Sequence, residues 1–280
     1  MKQLETVTSM KAACRQVTRS GKTLGFVPTM GALHEGHLSL VLASTSRCDV
    51  TAVSIFVNPL QFGPTEDLAK YPRTMERDTA MLEAAGVDLL FFPSVEEMYP
   101  AGATTRVHVA ELSEKLDGAS RPGHFLGVAT VVNKLFEIVR PDSAFFGQKD
   151  AAQVAVLRKM VRDLDMDVEV VVCPIVREKD GLAMSSRNAY LTPEQRQQAL
   201  VLHRSLLRVQ AAVDRGERDA SRLRKIGEEA MAEEAAARLD YFAIVDPERL
   251  DPVRDVSRGA LVAVAAYVGT TRLIDNILLT

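Results

Sequence analysis

The sequence predicts an α/β protein in which a doubly wound parallel sheet is followed by a smaller α+β unit. Two observations lead to this prediction. Segments that are almost wholly apolar alternate with amphipathic segments in the first half, the pattern of a parallel sheet covered by helices on both faces. After about Arg187 the pattern changes, and two long charged helical segments precede three strand-like ones.

The first half alternates strands and helices in regular order. The predicted strands are residues 22–29, 49–57, 87–93, 143–147 and 166–176, and the predicted helices are residues 36–47, 74–86, 129–141 and 150–165. Gly86 and Pro141 are typical of helix ends. Right-handed crossovers place the carboxyl ends of parallel strands along one edge, where such folds bind ligands.

The second part begins with a helix signal, because Thr192 is a favoured capping residue and Pro193 a favoured first helical residue. Residues 192–216 and 219–239 are predicted as helices, and residues 240–246, 260–269 and 271–279 as strands. No low-complexity linker separates this part from the first. The predicted domains are therefore residues 1–176 and 177–280, packed closely together.

Composition is that of an ordinary globular protein. Of 280 residues, 47% are hydrophobic and 25% charged, and 34 basic against 37 acidic residues leave a net charge of −3. This balance gives no reason to expect nucleic acid or a membrane surface as a partner. The polar amino terminus does not resemble a signal peptide, and the longest uncharged stretch near the carboxyl end is shorter than a membrane span. We expect a cytoplasmic protein.

Three cysteines, Cys14, Cys48 and Cys173, are widely spaced and form no CxxC pair. Neither a disulfide framework nor a cysteine zinc site is expected, which fits a reducing compartment. Cys48 and Cys173 lie beside apolar runs, so we predict that they are small core residues.

The stretch PTMGALHEGH lies at the junction between the first predicted strand and the helix that follows it. Its histidines could bind metal, pack in the core or contact phosphate. His34 and His37 are three residues apart, not four as in HExxH, and no third ligand is evident, so no metal site is predicted. Gly31 and Gly36 permit close approach of a ligand, a helix amino terminus favours anions, and imidazoles can donate to phosphate oxygens. Phosphate is the preferred interpretation, with buried or capping imidazoles as the alternative.

Other polar motifs also follow predicted strands or precede helices. They are FVNPLQFG with Asn58 and Gln61, RPGHFLGVAT with Arg121, FFGQKDAAQ with Lys149, Asp150 and Gln153, and GLAMSSRNAYLT with Ser185, Ser186 and Arg187. Lys149 and Arg187 carry the charge that suits a polyphosphate, and Asp150 either caps a helix or meets a ribose hydroxyl. Each motif alone is explained by a turn or a cap, whereas together they indicate a nucleotide site.

In order and spacing, PTMGALHEGH, SIFVNPLQFG, YPRT, RPGHFLGVATVV, FFGQKD and VREKDGLAMSSRNAYL resemble the pantoate–β-alanine ligase (pantothenate synthetase) family over most of the chain. HEGH and MSSR are also similar to the wider HxGH group of nucleotidyl-transferring proteins. The resemblance implies a Rossmann-like sheet of the nucleotidyltransferase type. Ala151 and Ala152 depart from the expected pattern. Ala183 stands where the wider group often has Lys, so the positive charge of this loop is expected from Arg187 instead.

The resemblance implies an ATP-dependent condensation of (R)-pantoate with β-alanine to pantothenate, on the route to coenzyme A. The pantoate carboxylate attacks the α-phosphate of ATP, and the β-alanine amine then displaces AMP from pantoyl adenylate. Such transfers need positioning and charge neutralisation more than a protein nucleophile. Mg²⁺ is expected with ATP, held mainly by phosphates. The family suggests a homodimer, and no tightly bound organic cofactor or protein metal site is expected.

The resemblance also implies residue roles. The expected catalytic residues are His34, His37, Lys149, Ser185, Ser186 and Arg187, with His37 as the proton donor. The expected ATP contacts are Met30, Gly31, Ala32, Leu33, His34, Glu35, Gly36, His37, Gly147, Gln148, Lys149, Asp150, Val176, Met184, Ser185, Ser186 and Arg187. Gln61 and Gln153 are expected to hold pantoate, and Gln61 also β-alanine, with Arg121 and Tyr71 as secondary candidates. The second domain is expected to close over this site.

Two other functions stay open at this point. Another HxGH-type nucleotidylyltransferase acting on a phosphorylated substrate would need additional Arg or Lys for the second phosphate. Gln61 and Gln153 suit an uncharged hydroxy-acid body better. A non-catalytic nucleotide sensor would have no use for a second-substrate pocket.

Overall fold

A computed structural model describes residues 1–64 and 66–280. The strands are β1 (Lys2–Leu4), β2 (Leu24–Thr29), β3 (Val50–Ile55), β4 (Leu89–Phe91), β5 (Ser143–Gly147), β6 (Glu169–Cys173), β7 (Ala237–Val245), β8 (Ala260–Val268) and β9 (Thr271–Leu279). The helices are α1 (Val7–Arg19), α2 (Glu35–Arg47), α3 (Met75–Ala84), α4 (Val95–Met98), α5 (Asp117–Ser120), α6 (His124–Val139), α7 (Ala151–Asp163), α8 (Pro193–Asp214) and α9 (Ala220–Ala232). Short 3₁₀ turns include Pro59–Gln61, Asp67–Ala69, Gln148–Asp150 and Ser186–Tyr190.

The first six strands form one parallel sheet in the order β1-β4-β3-β2-β5-β6. From β2 the chain moves outward through β3 to β4, and it later crosses to the other side to form β5 and β6. The direction of winding therefore reverses between β2 and β5, which is where doubly wound sheets bind ligands. The predicted fold class is confirmed.

Helices cover both faces of this sheet. Phe26 and Phe146 belong to the core beneath α1, α6 and α7, whereas their chain neighbours Val27 and Phe145 belong to the core beneath α2 and α3. Successive strand residues point to opposite faces, so a sheet buried on both faces needs apolar residues at every position. This requirement explains the unbroken apolar runs in the sequence.

The polar amino terminus, for which no element is predicted, forms β1 and α1. β1 is a three-residue strand at the edge of the sheet, where it pairs with β4. Of α1, only Met10, Ala13 and Cys14 are buried. A three-residue strand and a helix with so few buried residues leave little hydrophobic periodicity in the sequence. Pairing with the edge of the sheet stabilises β1.

The last three strands form an antiparallel sheet in the order β7-β8-β9. Val262 and Val264 of β8 pack with α8 and α9, whereas Leu261 and Ala263 belong to the core of the large sheet. The two parts therefore share buried contacts, as their direct connection predicts. The predicted helix 219–239 is too long: α9 ends at Ala232, because residues from Ala237 onward pair with β8 despite their helix-favouring composition.

Cys14 and Cys173 are buried, Cys48 is partly buried, and all three thiols are free. Cys173 is a core residue as predicted, and Cys48 packs at the edge of the same cluster. Within the described ranges, no helix is both long enough and apolar enough to cross a bilayer.

Candidate active site

A cleft opens at the carboxyl ends of the parallel strands, beneath the carboxy-terminal sheet. It contains a cavity of about 970 Å³, lined by residues that include Lys149, Ser185 and Arg272. A smaller cavity of about 190 Å³ has Met30, His37, Gln61 and Gly147 in its lining. Both cavities are bordered by Arg121, His124, Asp150, Gln153 and Arg187.

His34 and His37 form a capping box at the start of α2. Nδ1 of His34 accepts from the backbone N–H of Gly36 (3.2 Å), and Nδ1 of His37 accepts from the backbone N–H of His34 (3.4 Å). The ring centroids are 4.0 Å apart. With Nδ1 acting as the acceptor, a neutral imidazole carries its proton on Nε2. Each ring therefore keeps an Nε2–H donor that the cap does not use. The capping and phosphate interpretations are thus compatible.

The surroundings keep these rings neutral. Burial, together with the charge of nearby Lys149, lowers the pKa of His34 to about 4. Burial and the neighbouring His34 lower the pKa of His37 to about 3. His124, buried beside Arg121, has its pKa lowered to about 4. At neutral pH these rings act as neutral hydrogen-bond donors, a state suited to polarising an oxygen without a full positive charge.

A pH titration should therefore leave these three rings unprotonated well into the acidic range. Between about pH 6.5 and about pH 4, histidines of the unfolded chain bind protons that the folded protein does not bind, so the free energy of unfolding should fall as pH falls. We expect the ¹³C-labelled ring signals of His34, His37 and His124 to stay in the neutral form down to about pH 5. A half-titration near pH 6.5 for any of them would contradict its assigned environment.

Asp78 holds the turn that leads into α2. Gly31 and Ala32 have positive φ angles of 81° and 51°. Asp78, only 1% exposed, accepts the backbone N–H of Ala32 at 2.8 Å and that of Leu33 at 2.9 Å, as well as the hydroxyl of Thr74 at 3.0 Å. Those two amides are therefore already bonded, and the Leu33 side chain is buried in the core. Unlike these two amides, the imidazole Nε2–H groups are not used by the cap and are left as donors.

The segment after β5 is held from the carboxy-terminal sheet. Nδ2 of Asn276, a buried residue of β9, donates to the backbone carbonyls of Gln148 (3.0 Å) and Lys149 (2.9 Å). Gln148 Nε2 donates back to Oδ1 of Asn276 at 3.0 Å. Lys149 Nζ lies 3.7 Å from Asp150 Oδ1, with 20% of its side chain exposed. The lysine therefore projects from a fixed backbone at the edge of the large cavity.

The segment 177–187 folds back toward α2. Arg177 forms a bidentate ion pair with buried Asp275 of β9 (2.6 and 2.9 Å), and the Met184 N–H donates to the carbonyl of Val176 (3.0 Å). Met184 then lies beside Gly36, where a Cβ would come within 3.7 Å of its own Cβ. Ser185 caps the following 3₁₀ turn. This path brings the two ends of the predicted nucleotide site together.

Two arginines that face the cleft are paired with carboxylates. Arg187 contacts Asp67 through Nε and Nη2 (3.2 and 3.1 Å), and Arg121 contacts Glu66 through Nε and Nη2 (2.8 and 2.6 Å). Burial alone would lower the pKa of Arg187, but the hydrogen bonds and charge of Asp67 raise it overall. The hydroxyl of Tyr71 lies 3.4 Å from Ser186 Oγ. The segments around Asp67 and Arg187 are therefore in direct contact.

Sequence reasoning missed several residues that organise this cleft: Asp67, Asp78, Asp275, Asn276 and Tyr99, whose hydroxyl donates to Oδ1 of Asn58 at 2.9 Å. Adjacent polar residues in the apolar strand TRLIDNILL are a signal for Asp275 and Asn276. Asp78 and Asp67 carry no such signal, because acidic residues near a helix start are common on protein surfaces. Among the residues that the structure describes, no group of three or more His, Cys, Asp or Glu is arranged to hold a metal ion.

Comparison with known proteins identifies relatives that match along the whole chain. The family model for pantoate-beta-alanine ligase matches residues 2–278. A pantothenate synthetase from Koribacter versatilis is 62% identical over 279 residues, which cover 100% of this chain and 96% of the relative. The crystal structure of pantothenate synthetase from Thermus thermophilus superposes with a TM-score of 0.94 at 51% identity, covering 99% of both chains.

A third relative was solved with ligands. The pantoate-beta-alanine ligase from Francisella tularensis, complexed with beta-gamma ATP and beta-alanine, is 33% identical and superposes with a TM-score of 0.80 over 99% of this chain and 97% of its own. The family model, the full-length relatives and these solved structures all point to the family that the motifs resemble. The chain belongs to the pantoate–β-alanine ligase family.

Proposed function

We propose that the cleft condenses pantoate with β-alanine through a pantoyl adenylate. ATP releases diphosphate in the first step, and AMP is released in the second. One observation supports this proposal above the others. Lys149 and Arg187 border the large cavity, and the smaller cavity beside it is bordered by His37, Gln61 and Gln153. A nucleotide and a small hydroxy acid fit such a pair of cavities. Full-length similarity to the family sets aside the sensor and the unrelated nucleotidylyltransferase.

In the first step, a pantoate carboxylate oxygen attacks the α-phosphorus and the bond to the bridging oxygen of diphosphate breaks. Negative charge gathers on the phosphoryl oxygens and on the departing diphosphate. The neutral rings of His34 and His37 can donate hydrogen bonds to the former, while Lys149 neutralises charge beside them. Arg187, Ser185 and Ser186 would hold the diphosphate end. His37 is our choice for a proton donor to the bridging oxygen, acting through Nε2.

In the second step, the β-alanine amine attacks the carbonyl carbon of the acyl adenylate, and the bond to AMP breaks. The nitrogen loses two protons as it passes from ammonium to amide. No protein nucleophile is required in either step. Mg²⁺ would accompany ATP and be held mainly by phosphate oxygens.

We further propose a boundary after residue 176, with residues 177–280 closing over the nucleotide. Arg187 supports this idea, because it belongs to the second part yet borders both cavities. The family resemblance supports a homodimer. Three free thiols support residence in the reducing cytoplasm.

Pantoate-dependent exchange of labelled diphosphate into ATP tests the proposed reaction. We expect exchange with pantoate and ATP alone, and pantothenate only when β-alanine is added. A folded protein without pantoate-dependent exchange would refute the adenylation step.

Replacing Gln153 with alanine should weaken pantoate binding about tenfold or more, the usual loss for hydrogen bonds to a charged group. The KM for ATP should change little, because the uncharged amide of Gln153, which borders both cavities, adds little to the binding of a triphosphate. Steady-state kinetics with pantoate and ATP varied separately will show this. Gln16→Ala, on the exposed side of α1, is the matched control. An unchanged KM for pantoate would remove Gln153 from the pocket.

Replacing Asp67 with asparagine should tighten ATP binding about threefold. Arg187 must exchange its carboxylate partner for phosphate oxygens when ATP binds, and a partly exposed ion pair is worth at most about 1 kcal/mol. Calorimetric titration with a non-hydrolysable ATP analogue measures the change. Asp163→Asn, which removes the exposed partner of Lys159, is the control. Weaker binding in Asp67→Asn would show instead that the carboxylate supports the bound state.

A further inference from the structure

Asn58 lies just beyond the end of β3 and is only 1% exposed. Its side chain makes four hydrogen bonds. Oδ1 accepts from the backbone N–H of Leu60 (3.2 Å) and from the hydroxyl of Tyr99 (2.9 Å). Nδ2 donates to the backbone carbonyl of Gly127 (3.0 Å) and to Oε1 of Gln61 (3.1 Å). The side chain therefore joins two backbone groups to two other side chains.

The two backbone partners determine which way the Asn58 amide points. The N–H of Leu60 requires an acceptor and the carbonyl of Gly127 requires a donor, so only one orientation of the amide satisfies both. The hydroxyl of Tyr99 faces the Asn58 oxygen and must donate to it. Gln61 faces the Asn58 nitrogen and must turn its own oxygen toward it.

The carboxamide of Gln61 consequently directs its NH₂ group toward the smaller cavity. Nε2 lies 2.8 Å from Sδ of Met30, a residue that lines this cavity. The backbone of Gln61 is fixed as well, because its carbonyl accepts from Nδ1 of His124 at 2.8 Å. Gly127 also packs against this backbone, so closely that a Cβ at position 127 would lie 2.6 Å from the backbone nitrogen of Gln61. Rotation of the amide would therefore break bonds at both ends.

We infer that Asn58 and Tyr99 are positioning residues that hold Gln61 as a hydrogen-bond donor toward the hydroxy-acid substrate. The inference rests on the proposed function, which supplies that substrate. A donor at this place recognises a hydroxyl or carboxylate oxygen of pantoate. It does not match the ammonium group of β-alanine, which carries donors only. Any contact of the Gln61 NH₂ group with β-alanine would then be to the carboxylate.

A double-mutant cycle between Tyr99→Phe and Gln61→Ala tests the inference. Phenylalanine keeps the ring, whose centroid lies 6.0 Å from that of Phe56, and removes only the hydroxyl. With Gln61 present, Tyr99→Phe should raise the KM for pantoate about threefold to tenfold, the effect of one ordinary hydrogen bond. In the Gln61→Ala background it should have no further effect, because the group it orients is gone.

The KM for ATP should stay unchanged in the unmodified protein, the two single variants and the double variant. A general destabilisation of the protein would raise it together with the KM for pantoate. The inference is overturned if Tyr99→Phe leaves the KM for pantoate unchanged, raises it equally in both backgrounds, or raises the KM for ATP in parallel. Absence of pantoate-dependent exchange in the unmodified protein would instead refute the proposed function, so the two failures are distinguishable.

Discussion

Replacing His37 with alanine should lower the rate of adenylate formation at least ~100-fold, the usual cost of removing one preorganised donor. The ring is held in place by the cap at the start of α2, and its Nδ1 is already bonded to the His34 amide. Its Nε2–H is therefore the group available to a phosphoryl oxygen. Because burial keeps the ring neutral, the effect should be present across the neutral pH range.

Diphosphate exchange at saturating ATP and pantoate measures this loss. The substitution also removes a capping bond worth about 1 kcal/mol, so denaturant unfolding must confirm that the variant is folded under assay conditions. His108→Ala removes an exposed imidazole elsewhere in the chain and should leave exchange unchanged. Near-normal exchange by folded His37→Ala would mean that the histidine only caps the helix.

Replacing Lys149 with alanine should also lower the rate of adenylate formation at least ~100-fold. The charge of its ammonium group helps to lower the pKa of both His34 and His37, because it lies close to their rings. Its backbone is fixed by Asn276, so the entropy lost when the charge meets a phosphate is confined to the side chain. Charge that develops in the transition state is then neutralised by a group already in position.

Lys159→Ala is the matched control, because it removes the same charge from an exposed position on α7, where the lysine pairs with Asp163. We expect it to retain full exchange activity. Lys149→Arg separates the effect of charge from that of geometry, since a planar guanidinium keeps the charge but cannot reproduce the geometry of a compact ammonium. If Lys149→Ala loses only affinity for ATP and keeps its maximal rate, the lysine contributes to binding the ground state alone.

Much of the architecture follows from local pattern. The apolar runs around Phe26 and Phe145 have the composition of strands buried on both faces, and their alternation with helices implied a parallel sheet. β1 and the end of α9 could not be predicted in the same way. β1 exists because it pairs with β4, and α9 stops where pairing with β8 begins, so both depend on partners distant in the chain.

The polar residues of the cleft also fall into two groups, those that the sequence indicated and those that only the tertiary structure identified. The sequence by itself indicated His34, His37 and Lys149, because charged and imidazole groups at strand ends are unusual and occur in a recognisable order. Tertiary structure alone decided which groups orient the cleft residues: Asp78 holds the turn before His34, Asn276 holds the backbone of Lys149, and Tyr99 bonds to Asn58 beside Gln61. Asp78, Asn276 and Tyr99 act across separations of 45, 127 and 41 residues. A hydrogen bond depends on which groups the fold brings within about 3 Å of each other, and no local pattern records that distance. The neutrality of the two rings has the same origin, since burial and neighbouring charge exist only once the chain has folded.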